Sequence, residues 1–266
     1  MKLQRSILMK SKNIIILGRK SLSTLILYNA ISLSHDVKCV ILENEESRRI
    51  FLKRRIKKLG IIRVLDQLLF ISIFIKLLKI ISKKRTLEII KMQNVSIDPI
   101  PESKILKVRS INSQNVIEIL KTSHHDYIVL SGTRILSKGV IDSVKSQILN
   151  IHAGITPKYR GVHGAYWAYV NRESNLAGVT LHRVDYGVDT GNIIDQELIT
   201  ITKKDNFVTY PYLQLFVGIH MLLKFIQTDN SKCCVKEKMD NVVVSKQWYH
   251  PGLSQYLCNL IILGVK

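Results

Sequence analysis

The sequence predicts an α/β fold: a doubly wound, mostly parallel sheet with helices on both faces. One indication is a pair of short apolar runs that each end in glycine, NIIILG at 13–18 and DYIVLSG at 126–132. Runs of this length and composition are typical of buried parallel strands. The other indication is the alternation of such runs with segments of helical spacing, which is expected for successive βα units around one sheet.

The remaining elements follow in the same order. A helix-like segment after Gly18 leads to VKCVILENEE, a strand-like run that ends in acids, and KVRSIN and ILNIHAG continue the alternation. Gly18 ends the first strand where a phosphate could approach the N-terminus of the next helix, so it is a candidate substrate-binding residue. No GxGxxG follows it, and the sequence lacks the fingerprint of a dinucleotide site.

Residues 51–85 differ from the rest in carrying eleven basic residues and a single acid, Asp66. Apolar residues recur at helical spacing, but the apolar run is too short to span a bilayer. Three interpretations remain open for this helical basic insertion. It is a helical pair packed on its own domain with a solvated basic rim, a membrane-surface helix attracted to anionic lipid, or a partner or homodimer surface.

The composition is strongly basic, with a formal net charge of +20. Such a charge attracts nucleic acid, anionic lipid, nucleotide-linked substrates or polyglutamylated cofactors. A Lys/Ile/Asn-rich compositional habit of the source genome explains it equally well. The four cysteines form no CxxC pattern, and the adjacent Cys233 and Cys234 favour a reducing compartment. The basic N-terminus lacks the features of a signal peptide, so we expect a cytoplasmic protein.

We predict two parts along the chain. Residues 1–200 form the catalytic domain, with the insertion at about 51–85. Residues 201–266 form an extension packed on that domain, which contains an amphipathic run, a predicted strand at 235–246 and a final apolar segment.

Asn150 and His152 suggest a reactive site at the end of a strand. Residues two apart on a strand face the same side, so the amide and the imidazole can both point at one reacting atom. Both groups can donate to an oxygen that gains negative charge. Asp189, if the fold brings it close, can orient the imidazole or take part in proton transfer. By spacing alone, a histidine in an apolar strand is more often a structural residue, so the spacing favours that interpretation of His152.

Three blocks of sequence in this order are more specific. They are LSGTRILS at 130–137, ILNIHAGITPKYRG at 148–161 and GVTLHRVDYGVDTGNII at 178–194. Together they resemble the N10-formyltetrahydrofolate-dependent formyltransferases, a family that includes enzymes acting on glycinamide ribonucleotide, methionyl-tRNA and nucleotide-linked sugars. The resemblance is close over about 124–196. It implies the Rossmann-like sheet of that family, here with a helical basic insertion and a short C-terminal extension.

The resemblance assigns roles to individual residues. Asn150, His152 and Asp189 match the catalytic trio: the first two would stabilise the oxyanion formed when an amine attacks the formyl carbon, and Asp189 would keep His152 charged and help move the amine's proton. His182 would give structural support. No metal is required.

The formyl donor, N10-formyltetrahydrofolate, would lie between two loops. The resemblance places the pterin against backbone groups of one loop and against the 185–189 loop on its other side. The residues concerned are Arg134, Ile135, Leu136, Asp185 and Val188.

Departures from the family pattern bear on the acceptor. His152 is followed by Ala153 and Gly154, where relatives often have Pro-Ser or Ala-Ser, and VHGAYWAYV follows the turn. Trp167 is predicted to be a core residue. The candidate acceptor-binding residues are Lys158, Tyr159, Arg160, His163 and Tyr166.

We expect the acceptor to be a small-molecule amine, namely a nucleotide-linked amino sugar used in surface polysaccharide synthesis. Methionyl-tRNA and phosphoribosylglycinamide remain alternatives, although residues 201–266 are short for the separate β domain of the tRNA enzyme. Hypotheses of another class are a hydrolase that releases formate and a non-catalytic folate-binding module.

Overall fold

The computed structural model describes residues 11–45, 47–228 and 244–266. Its strands are β1 (Asn13–Gly18), β2 (Asp36–Glu43), β3 (Ile105–Val108), β4 (Tyr127–Ser131), β5 (Gln147–His152), β6 (Arg160–Gly161), β7 (Gly178–Arg183), β8 (Ile193–Leu198) and β9 (Gln247–Trp248). Seven of them form one sheet in the order β3-β2-β1-β4-β5-β7-β8. The first five strands in that order are parallel to one another. β7 runs antiparallel to β5, and β8 runs antiparallel to β7. The predicted mostly parallel sheet is confirmed.

Helices cover both faces of the sheet. They are α1 (Leu22–Ser32), α2 (Arg48–Leu59), α3 (Ile61–Leu69), α4 (Ile75–Ile81), α5 (Lys83–Met92), α6 (Gln114–Thr122), α7 (Lys138–Asp142), α8 (Gly164–Val170), α9 (Tyr210–Thr228) and α10 (Leu253–Leu263). Along β1, Ile14 and Ile16 face the core shared with α1, α5 and α9, whereas Ile15 and Leu17 face α6 and α7. The alternation of side chains on a strand therefore supplies two cores, which confirms the doubly wound fold.

The basic insertion lies between β2 and β3. One of the three interpretations of its sequence was a helical pair, and the structure has four helices, α2 to α5, with a π-helical turn (Phe70–Phe74) joining α3 to α4. Apolar residues keep helical spacing across that turn, so the sequence pattern does not show where α3 ends. The segment is fastened to the main body by Phe70, which is fully buried and packs on Phe207 and Tyr256, and by an ion pair between Arg85 and Asp205.

The C-terminal region packs on the main body at two places. α9 lies against the sheet so closely that a Cβ at Gly218 would approach Ile151 Cγ2 to 2.2 Å. β9 pairs in parallel with β6, and α10 lies along α3, where Ser254 bonds to Asp66. The division at residue 200 stays a prediction. Cys233, Cys234, most of the predicted strand at 235–246, and the first ten residues lie outside the described residues.

The parallel strands end along one edge of the sheet. Register pairs Gly18 with Ser131 and Leu130 with Asn150, so β1, β4 and β5 finish side by side. Loops at the carboxyl edge of such a sheet are where ligands bind, and most of the predicted site residues lie there.

Candidate active site

Asn150 and His152 end β5 on the same side of the sheet, as the two-residue spacing predicts. β7 runs antiparallel beside them and places His182 opposite Asn150. His182 Nδ1 lies 2.9 Å from the carbonyl of Arg183, which can only accept, so Nδ1 carries the hydrogen and Nε2 is an acceptor. Asn150 Nδ2 therefore donates to His182 Nε2 at 3.1 Å. The structural support that the resemblance assigns to His182 consists of fixing this amide.

The second N–H of Asn150 points toward Asp189. Asn150 Nδ2 lies 3.5 Å from Asp189 Oδ1, a long contact. Because an amide nitrogen has two hydrogens, one is held by His182 and the other is held only weakly. The weakly held N–H is a donor that an incoming oxygen can take over.

Asp189 is the charged centre of the cluster. Its backbone adopts a left-handed conformation, with φ of +52°, which asparagine and aspartate tolerate better than most residues. His152 Nδ1 lies 3.3 Å from Asp189 Oδ1, and the Gly161 N–H donates to Oδ2 at 2.9 Å. Burial alone would raise the pKa of Asp189, but His152 and the Gly161 N–H, which favour the charged carboxylate, outweigh it and hold the pKa well below its usual range. Asp189 is therefore a carboxylate.

His152 is buried, and both ring nitrogens have partners. Nε2 lies 2.7 Å from the carbonyl oxygen of Tyr159, which can only accept, so Nε2 carries a hydrogen and donates it. Nδ1 is the ring nitrogen that faces Asp189. The contact depends on Gly154, because a Cβ there would lie 2.3 Å from that carbonyl oxygen and 2.9 Å from His152 Nε2.

Two hydrogen bonds from β6 hold the loop that carries Asp189. Arg160 donates to the carbonyl of Val188 at 3.1 Å, next to the Gly161 bond to Asp189. Within the loop, Asp185 Oδ1 accepts from the Gly187 N–H and the Thr190 hydroxyl. The loop is thus fixed by its own turn and by two neighbouring residues of one short strand.

The second loop of the site, 132–136, is held by a buried carboxylate that the sequence analysis did not single out. Glu43, at the end of β2, accepts from the Arg134 N–H at 2.8 Å and forms ion pairs with the Arg134 and Arg19 guanidinium groups. Asn112 donates to the carbonyl of Ile135. The acidic end of VKCVILENEE was the available signal, but no pattern in one sequence shows that two distant arginines meet there.

These groups border a cavity of about 890 Å³. Its basic lining residues come from the residue that follows β1, from α2 and from the 132–136 loop, and they are Arg19, Arg54, Arg55, Lys58 and Arg134. Glu45 is its acidic lining residue. The cavity also reaches Ile135 and, from β9 onward, Gln247 and Tyr249. Since β9 pairs with the strand that binds Asp189, the cationic cavity and the Asn150–His152–Asp189 cluster are neighbours.

Several predicted acceptor-binding residues have other partners. Tyr159 is fully buried, stacks on Trp248 and bonds through its hydroxyl to Glu173, and Lys158 pairs with the same Glu173. Their side chains stabilise the turn after β5, which corrects the expectation that they line an acceptor pocket. Arg160 donates to the carbonyl of Val188 and so holds the loop that carries Asp189.

The two remaining candidates, His163 just before α8 and Tyr166 within it, also have other partners. Tyr166 is buried among aromatic rings and accepts from Asn259, so it is a core residue like Trp167. His163 Nε2 lies 2.9 Å from His250 Nδ1, and both rings line a different cavity of about 560 Å³. Helical spacing gave no sign of these long-range aromatic contacts.

Two features are absent from the described residues. No group of three or more His, Cys, Asp or Glu side chains suited to a metal ion occurs among them. In residues 11–45, 47–228 and 244–266, no helix is both long and apolar enough to cross a membrane.

Gly18 is where the predicted strand ends, and a Cβ there would lie 3.1 Å from Thr24 Cγ2 and 3.3 Å from the Ser131 carbonyl oxygen.

The sheet, its order of strands and the helices on both faces define a doubly wound α/β fold with a polar cluster at its carboxyl edge. More specifically, the model of the formyl transferase family matches residues 63–214, more than half of the chain. The chain belongs to the formyl transferase family, and the resemblance found in the sequence is confirmed.

Similar proteins fall into two groups. The methionyl-tRNA formyltransferase of Thermodesulfovibrio yellowstonii is 34% identical over 44% of this chain and 38% of its own length; that of Clostridium beijerinckii is 29% identical over 56% and 47%. The chain thus matches less than half the length of these relatives. The phosphoribosylglycinamide formyltransferase structure from Anaplasma phagocytophilum, at 20% identity, covers 85% of this chain and 91% of its own, with a TM-score of 0.52. The Bacillus halodurans structure, at 19%, covers 83% and 96%, with a TM-score of 0.51; both share the fold.

Proposed function

We propose that the protein transfers the formyl group of N10-formyltetrahydrofolate to a primary amine, and that the amine belongs to a nucleotide-linked amino sugar. The observation that carries the proposal is the cluster of Asn150, His152 and Asp189 at the end of β5, in which the largely buried carboxylate of Asp189 faces Nδ1 of His152. This arrangement suits proton transfer and oxyanion stabilisation and does not need a protein nucleophile.

The proposed reaction begins when the amine nitrogen attacks the formyl carbon. The C=O bond becomes an oxyanion that takes over the weakly held second N–H of Asn150. The amine proton passes by way of Asp189 to His152 Nδ1. The oxyanion then re-forms the C=O bond as the bond from carbon to N10 of the folate breaks, and N10 receives the proton that His152 took from the amine, which yields a formamide and tetrahydrofolate.

The proposed roles of Asn150 and His152 differ from those that the resemblance alone implies. The resemblance gives both Asn150 and His152 to the oxyanion, but the Nε2–H of His152 is taken by the Tyr159 carbonyl. We therefore assign oxyanion stabilisation to Asn150 and the proton to His152. Asp189, whose pKa is held low, orients His152 and stabilises it when it is charged.

Donor binding is proposed at the 132–136 and 185–189 loops. The Arg134 N–H and the Ile135 carbonyl are already bonded to Glu43 and Asn112, so the pterin would use other backbone groups of that loop. The adjoining cationic cavity, lined by the five basic side chains named above, suits an anionic substrate. A sugar nucleotide supplies a diphosphate, and folate supplies glutamate carboxylates.

Methionyl-tRNA is the second candidate acceptor. Two observations favour it: the curated relatives just described carry that name, and the net charge of +20 suits a polyanion. We rank it second because the match extends over less than half of those relatives.

The test is formyl transfer from N10-formyltetrahydrofolate, followed by mass spectrometry. The acceptor panel holds 3-amino and 4-amino deoxysugars on thymidine or uridine diphosphate, glycinamide ribonucleotide and methionyl-tRNA. The proposal predicts one added formyl group on a sugar nucleotide, absent in Asp189→Asn and retained in Asp98→Asn, a change at an exposed carboxylate. Formylated tRNA would establish the second candidate. Formate release without any formylated amine would establish a hydrolase and overturn the transferase.

A further inference from the structure

The insertion presents an exposed apolar stripe on its longest helical run. Residues 61–81 are helical throughout, because the π-helical turn joins α3 to α4 without leaving the helical region of φ and ψ. Six large apolar side chains recur along it every three or four residues: Ile62, Leu65, Leu69, Ile73, Leu77 and Ile80. Each is between 48% and 82% exposed. A stripe at this spacing lies along one face of a helix for about 30 Å.

The helix is also poorly covered on its inner side. α4 has five apolar residues out of seven, yet none of the seven is buried. Beneath it, Ile71 and Ile75 line the cavity of about 560 Å³ that separates this helix from α1 and α9. Contiguous exposed apolar surface of this extent on a soluble domain marks an interaction site.

The basic side chains beside the stripe indicate what kind of surface binds to it. Exposed basic side chains follow the stripe: Arg63 near its start, Lys76 and Lys79 beside Leu77 and Ile80, and Lys83 and Lys84 beyond it. The two acids of segment 48–92 are both engaged, Asp66 with Ser254 and Glu88 with Arg85. A second copy of this chain would bring an equally basic face against it, so like charges oppose self-association. An anionic lipid surface offers both the negative charge and the apolar layer.

We propose that the stripe of α3 and α4 docks on an anionic membrane surface, with the helix lying in the plane of the interface. The apolar side chains enter the boundary between headgroups and acyl chains. The lysines reach the headgroups with their ammonium groups while their stems pack on the apolar face. Docking of this kind is independent of formyl transfer, so it is tested without an activity assay.

The experiment is co-sedimentation of the full chain with vesicles of equal parts phosphatidylglycerol and phosphatidylcholine, and with vesicles of phosphatidylcholine alone. We expect binding to the anionic vesicles, little binding to the neutral ones, and weakening by salt. The triple variant Ile62→Gln/Ile73→Gln/Ile80→Gln should lower partitioning at least about tenfold. The charge variant Lys76→Glu/Lys79→Glu should do the same.

Matched controls are Leu33→Gln, a leucine 76% exposed at the far end of α1, and Lys121→Glu/Lys145→Glu, two exposed lysines outside the insertion. Both should bind as the unchanged chain does, and circular dichroism checks that every variant folds. The proposal is overturned if the unchanged chain does not bind anionic vesicles, or if the controls lose as much binding as the stripe variants. It is also overturned if light scattering finds a stripe-dependent dimer in place of vesicle binding.

Discussion

Two pairs of side chains that each contain a buried histidine lie in different parts of the molecule. In one, His152 faces the carboxylate of Asp189. In the other, His163 faces His250, and in the part of the chain that the structure describes no carboxylate contacts either ring. Burial alone makes a histidine neutral, because it penalises the charged form. The pairs therefore differ in the carboxylate and not in the presence of histidine, and the carboxylate is the reason that proton transfer is proposed for the first pair.

The pKa shifts express the same contrast. Burial, and then repulsion from His250, hold the pKa of His163 well below its ordinary value. Burial, with the charge of Arg55, lowers the pKa of His250 to about 4. In the first pair, the hydrogen-bond donors instead hold the pKa of Asp189 low, so a negative charge persists beside His152.

The change expected to have the largest effect converts the first pair into one without a carboxylate. Asp189→Asn keeps the shape but removes the charge that orients and stabilises His152, so the rate of formyl transfer should fall by about 10³-fold. Single-turnover kinetics measures it, with Asp98→Asn as the control. A rate within a few-fold of the unchanged enzyme would show that Asp189 does not serve the proton.

Gly154→Ala should disturb the same pair without removing either of its side chains. The added Cβ would lie 2.3 Å from the Tyr159 carbonyl oxygen, so that oxygen must move and the Nε2 donor of His152 is released. We expect the rate to fall about 10²-fold. Gly139→Ala is the matched control, because its Cβ would meet only an ordinary contact, 3.5 Å from Ile117 Cδ1. If both variants keep full activity, the Tyr159 contact is not needed for catalysis.

Glu43→Gln should weaken donor binding more than chemistry. Removing the charge releases Arg134 and Arg19, which Glu43 holds at the cationic cavity. KM for N10-formyltetrahydrofolate should rise about tenfold, with kcat changed less. Glu102→Gln, at an exposed carboxylate, is the control. A fall in kcat at unchanged KM would contradict the assigned position of the donor.

The smallest effect on activity is expected for changes in the pair of His163 and His250. A change there should instead alter how the free energy of unfolding depends on pH. The folded-state pKa of His250 lies below its unfolded value, so the unfolded state binds more protons between about pH 4 and pH 6.5. The free energy of unfolding should rise with pH across this window, and His250 accounts for about 3 kcal/mol of the rise. His250→Gln should flatten the dependence in denaturant titrations, and an unchanged slope would rule out the shift.

The sequence predicted much of the fold because apolar runs and their periods report burial directly. It also predicted that Asn150, His152 and Asp189 belong together, since the spacing on β5 and the family pattern agree. It did not predict the contact of Tyr159 with His152, the arginine pairs of Glu43 or the aromatic surroundings of Tyr166. Each of these depends on residues that are brought together by tertiary packing and have no fixed spacing along the chain.

The most direct test of the account compares three proteins in one formyl-transfer assay: the unchanged chain, Asp189→Asn and His250→Gln. The donor is N10-formyltetrahydrofolate, and the acceptor is a thymidine-diphosphate-linked 4-amino deoxysugar. The account predicts a formylated sugar from the unchanged chain and from His250→Gln at similar rates, and about 10³-fold less from Asp189→Asn. Equal losses in both variants, or no loss in Asp189→Asn, would contradict the claim that the carboxylate-bearing pair alone handles the proton.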